Sequence, residues 1–334
     1  FFNGQTLAAG TISATNNLAG TTDANQLNFS GTGTATTVVN VDGNALRLVR
    51  NGILSPLITL SGTTTGYRYN IANDITLDDD VTFSGSGSGT FVFNGAISGS
   101  GGITRTGTSS NLILTGNNSY AGSTTINAGT LQIGNDGATG SLGNGPVSIA
   151  SGATLRFDRT GTVLVSNDIT GAGRVIVNGA TSSDVVSLGG DNDFTGEVRV
   201  DNGSLRVTDA RQFGTGTKNI VIASSSALLR LDGSGAPVVF PADFSVLTSN
   251  PNGALLNEAG DNEILGKVTL SSGAGGSRFT VARDSLTIGG NVRPDATGRS
   301  LDLRGAGNGI INGNFTDGSG ANTVSGFSKD DAGT

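Results

Sequence analysis

Residues 116–133 read GNNSYAGSTTINAGTLQI, and residues 190–207 read GDNDFTGEVRVDNGSLRV. The two stretches align without a gap, so that Tyr120 matches Phe194 and Leu131 matches Leu205. The similarity continues on both sides with small insertions and deletions, and the resulting repeat copies lie near 93–158 and 165–232. Shared composition alone does not produce an alignment of this length, so the sequence contains an internal duplication.

A shorter period lies inside the duplicated unit. A short strand of the form Leu-x-[Leu/Ile/Val/Phe], followed by a polar or glycine turn, recurs at Leu46–Leu48, Leu131–Ile133, Leu155–Phe157, Leu205–Val207, Leu229–Leu231, Leu286–Ile288 and Leu301–Leu303. Where the repeat is clearest, the spacing between successive strands corresponds to one or two turns of about 25 residues. Short alternating strands at this period, without an amphipathic helix, are typical of a parallel β-helix.

The sequence therefore predicts an all-β protein, a right-handed parallel β-helix or β-solenoid that forms one continuous domain over 1–334. Three strands per turn leave three corners, where Gly and Asn are favoured because they adopt tight turns at low cost. Asn and Thr at equivalent positions of neighbouring turns are expected to form stacked ladders. Residues 236–258 hold three of the six prolines and are expected to form an irregular insertion, as a longer loop, a side hairpin or a shifted turn.

Alternation within the strands predicts which side chains form the core. Six apolar residues are expected to point inward in columns: Leu131, Ile133, Leu205, Val207, Leu229 and Leu231. Their polar neighbours are expected on the outer face: Gln132, Arg156, Arg206 and Arg230. The outer arginines could grip an acidic glycan or simply form a solvated face.

Composition excludes several kinds of chemistry. The chain of 334 residues has 55 Gly and no Cys, Met, Trp or His, so catalysis by imidazole or thiolate and ordinary zinc or copper sites are excluded. The net charge of −7 offers no basic field for nucleic acid or an anionic membrane. No apolar run is long enough to span a membrane as a helix. We therefore expect no nucleic acid, no membrane insertion and no cofactor.

Residues 102–133 resemble the autotransporter-associated β-strand repeat, also called the passenger-associated transport repeat. The matching residues are Arg105 at a basic position, Leu112, Leu114 and Gly116 in a Leu-x-Leu-x-Gly strand, Asn118, Tyr120 and Gly122 in an Asn-x-Tyr-x-Gly corner, and Thr124, Ile126, Gly129 and Leu131 in the following strand. The second copy matches at Gly190, Asn192, Gly196, Gly203 and Leu205. It departs where Val175 replaces the basic residue and Phe194 the tyrosine.

The resemblance implies fold and secretion rather than chemistry. Members of the family are parts of large secreted or surface-displayed bacterial β-helical proteins, and many are adhesins or matrix components. We expect a non-enzymatic extracellular or cell-surface protein that is a building block of a surface or matrix filament. An adhesin passenger segment that binds glycans or host surfaces is the alternative, and a polysaccharide-degrading β-helix enzyme is a third.

Few residues are candidates for chemistry, and none is assigned a catalytic role. Asp78, Asp79 and Asp80 are weak candidates for a calcium site, because clustered carboxylates on a turn suit a hard cation; a solvated turn is the other interpretation. Asp158 and Asp232 occupy matching positions of the two copies. They could form the carboxylates of a glycan-cleaving site, but they close their strands and are expected to point outward.

The two ends of the sequence predict a partner. Writing Gly333–Thr334 before Phe1–Gly4 gives a stretch that resembles the internal residues 89–95. We expect the solenoid to continue across its ends, either by head-to-tail stacking of copies into a filament or covalently in a longer passenger. Surface glycans are a further candidate partner.

Overall fold

The computed structural model describes residues 2–3, 10–30, 37–61, 67–108, 111–271, 276–295, 298–315 and 326–334. Phe1 and Gly4, which belong to the predicted end-to-end contact, lie outside these residues. The chain divides into two compact units, Phe1–Arg159 with Asn167–Arg174, and Thr160–Ser166 with Val175–Thr334. In both units, parallel strands joined by corners coil as a β-solenoid, so the predicted fold class is confirmed.

The first unit consists of three ladders of parallel strands. In order of pairing, its first ladder contains Phe2–Asn3, Gln26–Ser30, Leu57–Leu60, Val81–Ser84, Ile103–Arg105, Thr124–Ile126, Val147–Ile149 and Ile169–Gly171. The second ladder contains Gly10–Asn16, Thr37–Gly43, Tyr67–Ile71, Thr90–Phe93, Asn111–Leu114, Thr130–Gly137 and Thr154–Arg159. The third contains Thr22–Ala24, Leu46–Leu48, Ile75–Leu77 and Ile97–Gly99.

The second unit also consists of three parallel ladders. One contains Arg174–Asn178, Val198–Val207, Lys218–Ile222, Phe244–Thr248, Val268–Leu270 and Val292–Pro294. The long strand Val198–Val207 continues into the next ladder, together with Thr162–Val165, Val185–Leu188, Ala227–Asp232, Leu255–Ala259, Ser277–Val281, Ser300–Arg304 and Gly326–Lys329. The last contains Val239–Phe240, Asn262–Ile264, Ser285–Ile288 and Asn308–Ile311.

Among the described residues, one short helix interrupts this pattern, the 3-10 turn Ala210–Phe213. Asp209 caps it by accepting a hydrogen bond from the Arg211 N–H at 2.9 Å, as a carboxylate at this position commonly does. Within the described ranges, no helix has the length and apolar character needed to cross a membrane.

The strand register shows which residues lie one turn apart. Leu131 pairs with Leu155, and Leu205 pairs with Leu229, so the two repeat copies have turns of equal length. Other turns differ, because corners gain or lose residues while the strands stay in register. The pairing of Leu112 with Leu131 closes a shorter turn, and the pairing of Val39 with Tyr69 closes a longer one. The predicted period of about 25 residues is thus an average of unequal turns.

The core consists of stacked inward side chains. All six predicted core residues are at most 1% exposed: Leu131, Ile133, Leu205, Val207, Leu229 and Leu231. Tyr69 stacks flat on Phe91 of the next turn with 4.8 Å between ring centroids. The predicted inward columns are therefore confirmed.

Asparagine ladders also form between neighbouring turns. The Asn70 side chain donates a hydrogen bond to Asn40 Oδ1 at 2.9 Å, and the Asn202 side chain donates one to Asn178 Oδ1 at 3.0 Å. Both pairs lie at matching positions of adjacent strands. Each ladder satisfies polar groups that face one another along the solenoid.

Residues 236–258, predicted to form a longer loop, a side hairpin or a shifted turn, contain strands of the second unit. They supply Val239–Phe240, Phe244–Thr248 and Leu255–Ala259 to the three ladders of the second unit. The turn that closes where Leu229 pairs with Leu255 is slightly longer than the preceding one, from Leu205 to Leu229. Pro237 and Pro241 flank the short strand Val239–Phe240. Proline lacks an N–H group, and at these flanking positions its absence removes no hydrogen bond from the ladder. These strands continue the ladders, which favours the shifted turn among the three alternatives. The right-handed sense of the coil and the continuity of the domain over 1–334 stay predictions.

Candidate functional site

The asparagine of each repeat copy ties neighbouring turns together at a corner. Asn118 is only 7% exposed. Its Oδ1 accepts a hydrogen bond from the Ile97 N–H at 2.8 Å, and its Nδ2 donates one to the Ser141 carbonyl at 2.6 Å. In the second copy, Asn192 donates to the Gln212 carbonyl at 2.7 Å. The Asn118 side chain thus bonds the turns on either side of it, and Asn192 bonds the turn that follows.

We expect Asn118→Ala to lower the free energy of unfolding by about 2 kcal/mol, because it leaves buried backbone groups without partners. Urea denaturation of the purified chain measures this loss. Asn135→Ala is the matched control, since Asn135 is exposed, and should change the stability by less than about 0.5 kcal/mol. Equal stability of the two variants would contradict the role of Asn118.

The repeat aromatic residue fills the same corner in both copies. Tyr120 and Phe194 are fully buried. The Tyr120 hydroxyl lies 2.7 Å from Thr124 Oγ1, whereas Phe194 has no hydroxyl. In the second copy the Lys218 ammonium lies 4.2 Å from the centroid of the Phe194 ring, and it donates hydrogen bonds to the Phe194 and Gly196 carbonyls at 2.6 and 3.0 Å. A buried cation over an aromatic face therefore accompanies the loss of the tyrosine.

Lys218 gives the stability a dependence on pH. Burial lowers the pKa of Lys218 from 10.5 to about 8, although the negative charge of Asp193 acts to raise it. Between these two values the unfolded chain binds more protons, so the folded state gains stability as the pH rises through this window. We expect the urea midpoint of the wild type to rise between pH 8 and 10.5 relative to that of Lys218→Met. Lys267→Met is the control, because Lys267 is exposed, and its urea midpoint should vary with pH as that of the wild type does. If its midpoint instead varies with pH as that of Lys218→Met does, the interpretation of Lys218 is wrong.

The repeat glycines lie where two backbones meet or where the chain turns. A Cβ atom on Gly116 would lie 2.1 Å from the Gly95 carbonyl oxygen of the preceding turn. Gly129 and Gly203 have positive φ angles of 68° and 77°, which favour glycine. Gly190 lines an open cleft of the second unit.

The basic position of the repeat is buried in the first copy. Arg105 is fully buried, and burial lowers its pKa to about 10. It pairs with Ile126, and Val177 pairs with Val200. Ile126 matches Val200 in the duplication, so Val177 takes the place of the basic residue. The prediction that Val175 takes this place is wrong, because the register pairs Val175 with Val198, two residues before Val200.

The Asp78–Asp80 turn is held by groups of the chain itself. Asp78 lies 3.3 Å from the Arg47 guanidinium, and Asp79 lies 3.1 Å from the Arg50 guanidinium. Asp80 accepts a hydrogen bond from the Gly102 N–H at 2.7 Å. The three carboxylates are thus directed to three different partners. Across the described ranges, no group of three or more potential metal-ligating side chains comes together.

We expect removal of divalent cations to leave the melting temperature unchanged, because the three aspartates are already neutralised or hydrogen-bonded. Thermal unfolding in the presence of EDTA and of added calcium measures this. A large shift, absent in Asp78→Asn, would establish a calcium site at this turn.

Asp158 and Asp232 lie beside arginines of the outer face, as alternation along their strands predicts. Each is 8% exposed. The register shifts between Leu231 and Asp232, where the partner strand carries Glu258 as the extra residue of a bulge. Arg206 contacts the Asp232 carboxylate. Burial opposes ionisation of Asp232, but hydrogen bonds from Ser234 and the charge of Arg206 lower its pKa overall.

The outer arginines are likewise paired with carboxylates. Glu258 binds Arg206 at 2.8 Å and Arg230 at 2.9 Å. Arg156 lies 3.5 Å from Asp158. These pairs balance the charge of the face, so the arginines offer little excess positive charge to an acidic glycan.

Four open clefts surround one corner of the second unit, residues 232–237, and have volumes of about 510, 520, 470 and 440 Å³. The first, which we name the corner cleft, lies between the 3-10 turn and the proline-rich segment, residues 237–244. Its lining includes Asp209, Arg211, Pro237, Val239, Pro241, Asp243 and Phe244. Volumes of this size accommodate small ligands or a few side chains.

The walls of the corner cleft differ in charge. The Arg211 guanidinium binds Asp209 through Nε at 3.1 Å and a terminal nitrogen at 2.6 Å, and this hydrogen bonding lowers the pKa of Asp209. Asp243 also lines the cleft and is exposed. Sequence reasoning did not find this cleft, although Asp209 before a short turn and the cluster of prolines are signals for a corner of special shape.

These features define a class of protein, a parallel β-solenoid whose repeats have a buried asparagine corner. The passenger-associated-transport-repeat family matches the chain at residues 103–133 and 170–207, which confirms the resemblance. A curated relative, the Adhesin BmaC autotransporter of Brucella suis biovar 1 (strain 1330), is 34% identical over 168 residues. This alignment covers 44% of the chain and 5% of the relative. The comparison with solved structures gives no match.

The chain is thus similar to the passenger regions of autotransporter adhesins. Such regions lie at the bacterial cell surface or outside the cell, and this location holds for the chain.

Proposed function

We propose that the chain is a non-enzymatic passenger segment of a bacterial adhesin, in which a stiff β-solenoid presents binding surfaces outside the cell. The observation that carries the proposal is the similarity to an adhesin autotransporter over 168 residues, 44% of the chain. The parallel ladders support it, because strands linked by hydrogen bonds from turn to turn resist deformation.

The polar groups of the described surface also favour a binding role over catalysis. Asp158 and Asp232, the carboxylates that the sequence suggested for a glycan-cleaving site, each lie beside an arginine. A glycan-cleaving site needs two carboxyl groups on either side of the scissile bond. Stacking of copies into a filament stays a prediction from the sequence ends.

An adhesion assay tests the proposal. Beads coated with the purified chain are placed on epithelial cell layers and the bound beads are counted, with free chain as competitor. We expect saturable adhesion that the free chain inhibits. The control is beads coated with chain that has been unfolded irreversibly by heat. The folded free chain should not reduce the adhesion of these beads. Adhesion no greater than that of albumin-coated beads would overturn the proposal.

A companion assay tests the non-enzymatic part. The chain is incubated with acidic polysaccharides and new reducing ends are measured. We expect none above background. Cleavage that is lost in Asp232→Asn would show that the chain is an enzyme.

A further inference from the structure

We propose that the corner cleft binds a lysine or arginine side chain of an extended, basic segment of a protein partner. This inference rests on the proposed function, because it specifies the kind of partner that an adhesive surface would contact. Its basis is the combination of an apolar floor with an unpaired carboxylate on the rim of the cleft, within the part of the chain that the structure describes.

The floor of the cleft suits the aliphatic stem of a basic side chain. Pro237, Val239 and Pro241, which we name the floor, line the cleft and are exposed, Val239 by 40%. Lysine and arginine place their methylene groups along apolar surface while the charged end stays near water or a carboxylate. A short strand with two flanking prolines keeps this floor rigid, so little conformational entropy is lost on binding.

The rim supplies one carboxylate for the charged end. Arg211 already binds Asp209 in two hydrogen bonds. Asp243, which also lines the cleft, has no ion pair or side-chain hydrogen bond with any residue that the structure describes. A cation seated on the floor would therefore pair with Asp243 and not displace an internal partner.

The surrounding clefts carry an excess of negative charge. Seven carboxylates line the four clefts against three arginines: Asp191, Asp209, Asp232, Asp243, Glu258, Asp261 and Asp284, with Arg206, Arg211 and Arg283. The excess of negative charge extends beyond the corner cleft, so it favours a partner segment with several basic residues. Acidic glycans are disfavoured by the same field.

The burial of the aromatic ring at the cleft argues against a neutral sugar as the occupant. Phe244 is the aromatic residue that lines the corner cleft, and it is 3% exposed. Sugar rings are commonly held by stacking on exposed aromatic faces, because those faces combine apolar surface with a fixed orientation. An apolar floor of proline and valine with a carboxylate beside it fits a basic side chain better.

Fluorescence anisotropy tests the inference on the full chain. The probe is a short fluorescein-labelled peptide of alternating lysine and serine, and the comparison peptide has every lysine acetylated. We expect the lysine peptide to bind, with an affinity that falls as salt is added. We expect Asp243→Asn to weaken binding by about tenfold, the effect of losing about 1.4 kcal/mol. Asp243→Lys should abolish binding.

Asp136→Asn is the matched control, because Asp136 is an exposed aspartate that lines none of the four clefts. It should leave peptide binding unchanged. Absence of lysine-peptide binding, equal binding of the acetylated peptide, or an equal loss in Asp136→Asn and Asp243→Asn would overturn the inference. Tight binding of neutral oligosaccharides in its place would assign the cleft to sugars instead.

The two proposals fail in different ways. If coated beads adhere to cells and the lysine peptide does not bind, the cleft assignment is wrong and the adhesive function stands. If the peptide binds through Asp243 and coated beads do not adhere, the cleft assignment stands and the adhesive function is wrong.

Discussion

Leu205→Ala is expected to lower the free energy of unfolding by about 2–5 kcal/mol, the range for truncating a buried leucine. Leu205 is fully buried and stacks between Val186 and Leu229 of the neighbouring turns. Removing its side chain opens a cavity in the apolar column, because the paired backbones on both sides prevent the turns from closing over it. Loss of two inter-turn contacts at once places this substitution among the largest expected effects.

Urea denaturation of wild type and variant measures the effect of Leu205→Ala. Leu164→Ala, in the same unit, is the matched control, because Leu164 is 68% exposed. The control should change the stability by less than about 0.5 kcal/mol. A loss for Leu205→Ala no larger than that of the control would show that Leu205 is not part of a packed column.

Gly122→Ala is expected to destabilise the first unit by about 3 kcal/mol, the upper range for overpacking. A Cβ atom on Gly122 would lie 2.3 Å from the Gly102 nitrogen and 2.5 Å from the Gly101 carbonyl carbon. Both atoms belong to the backbone of the preceding turn, so no side-chain rotation relieves the clash and the two turns must separate.

Gly235→Ala is the matched control, since an added Cβ atom there meets nothing within 4 Å. Thermal unfolding followed by circular dichroism should show a lower midpoint for Gly122→Ala and little change for Gly235→Ala. Equal midpoints for both variants would contradict the close approach of the two turns at the repeat glycine.

The fold could be predicted because its determinants are local and periodic. Each strand contributes inward residues at alternate positions, and the same pattern returns one turn later, so Leu131 and Leu205 identify the core by spacing alone. Asparagine and glycine at the corners were also recognisable, since turns of this kind need them. The unequal lengths of the turns were not predicted, because corner loops can gain residues without disturbing the ladder.

The candidate site was much less predictable. Glu258, which binds Arg206 and Arg230, is the extra residue of a bulge in its strand, and alternation along the strand does not predict such a residue. Lys218 lies on the Phe194 ring of the preceding turn, a contact between residues that no sequence motif links. The corner cleft depends on where the proline-rich segment passes the 3-10 turn, which is decided by tertiary packing. Motif analysis therefore identified the scaffold and not its surface chemistry.

Nuclear Overhauser contacts between leucine methyl groups test the parallel solenoid most directly. In leucine-methyl-labelled protein, the register places Leu205 beside Leu229, and Leu229 beside Leu255. Adjacent parallel strands lie about 4.8 Å apart, so strong cross-peaks are predicted for both pairs, and the peaks of Leu205 should vanish in Leu205→Ala. Cross-peaks of Leu205 with leucines outside the neighbouring turns, and none with Leu229, would contradict the fold.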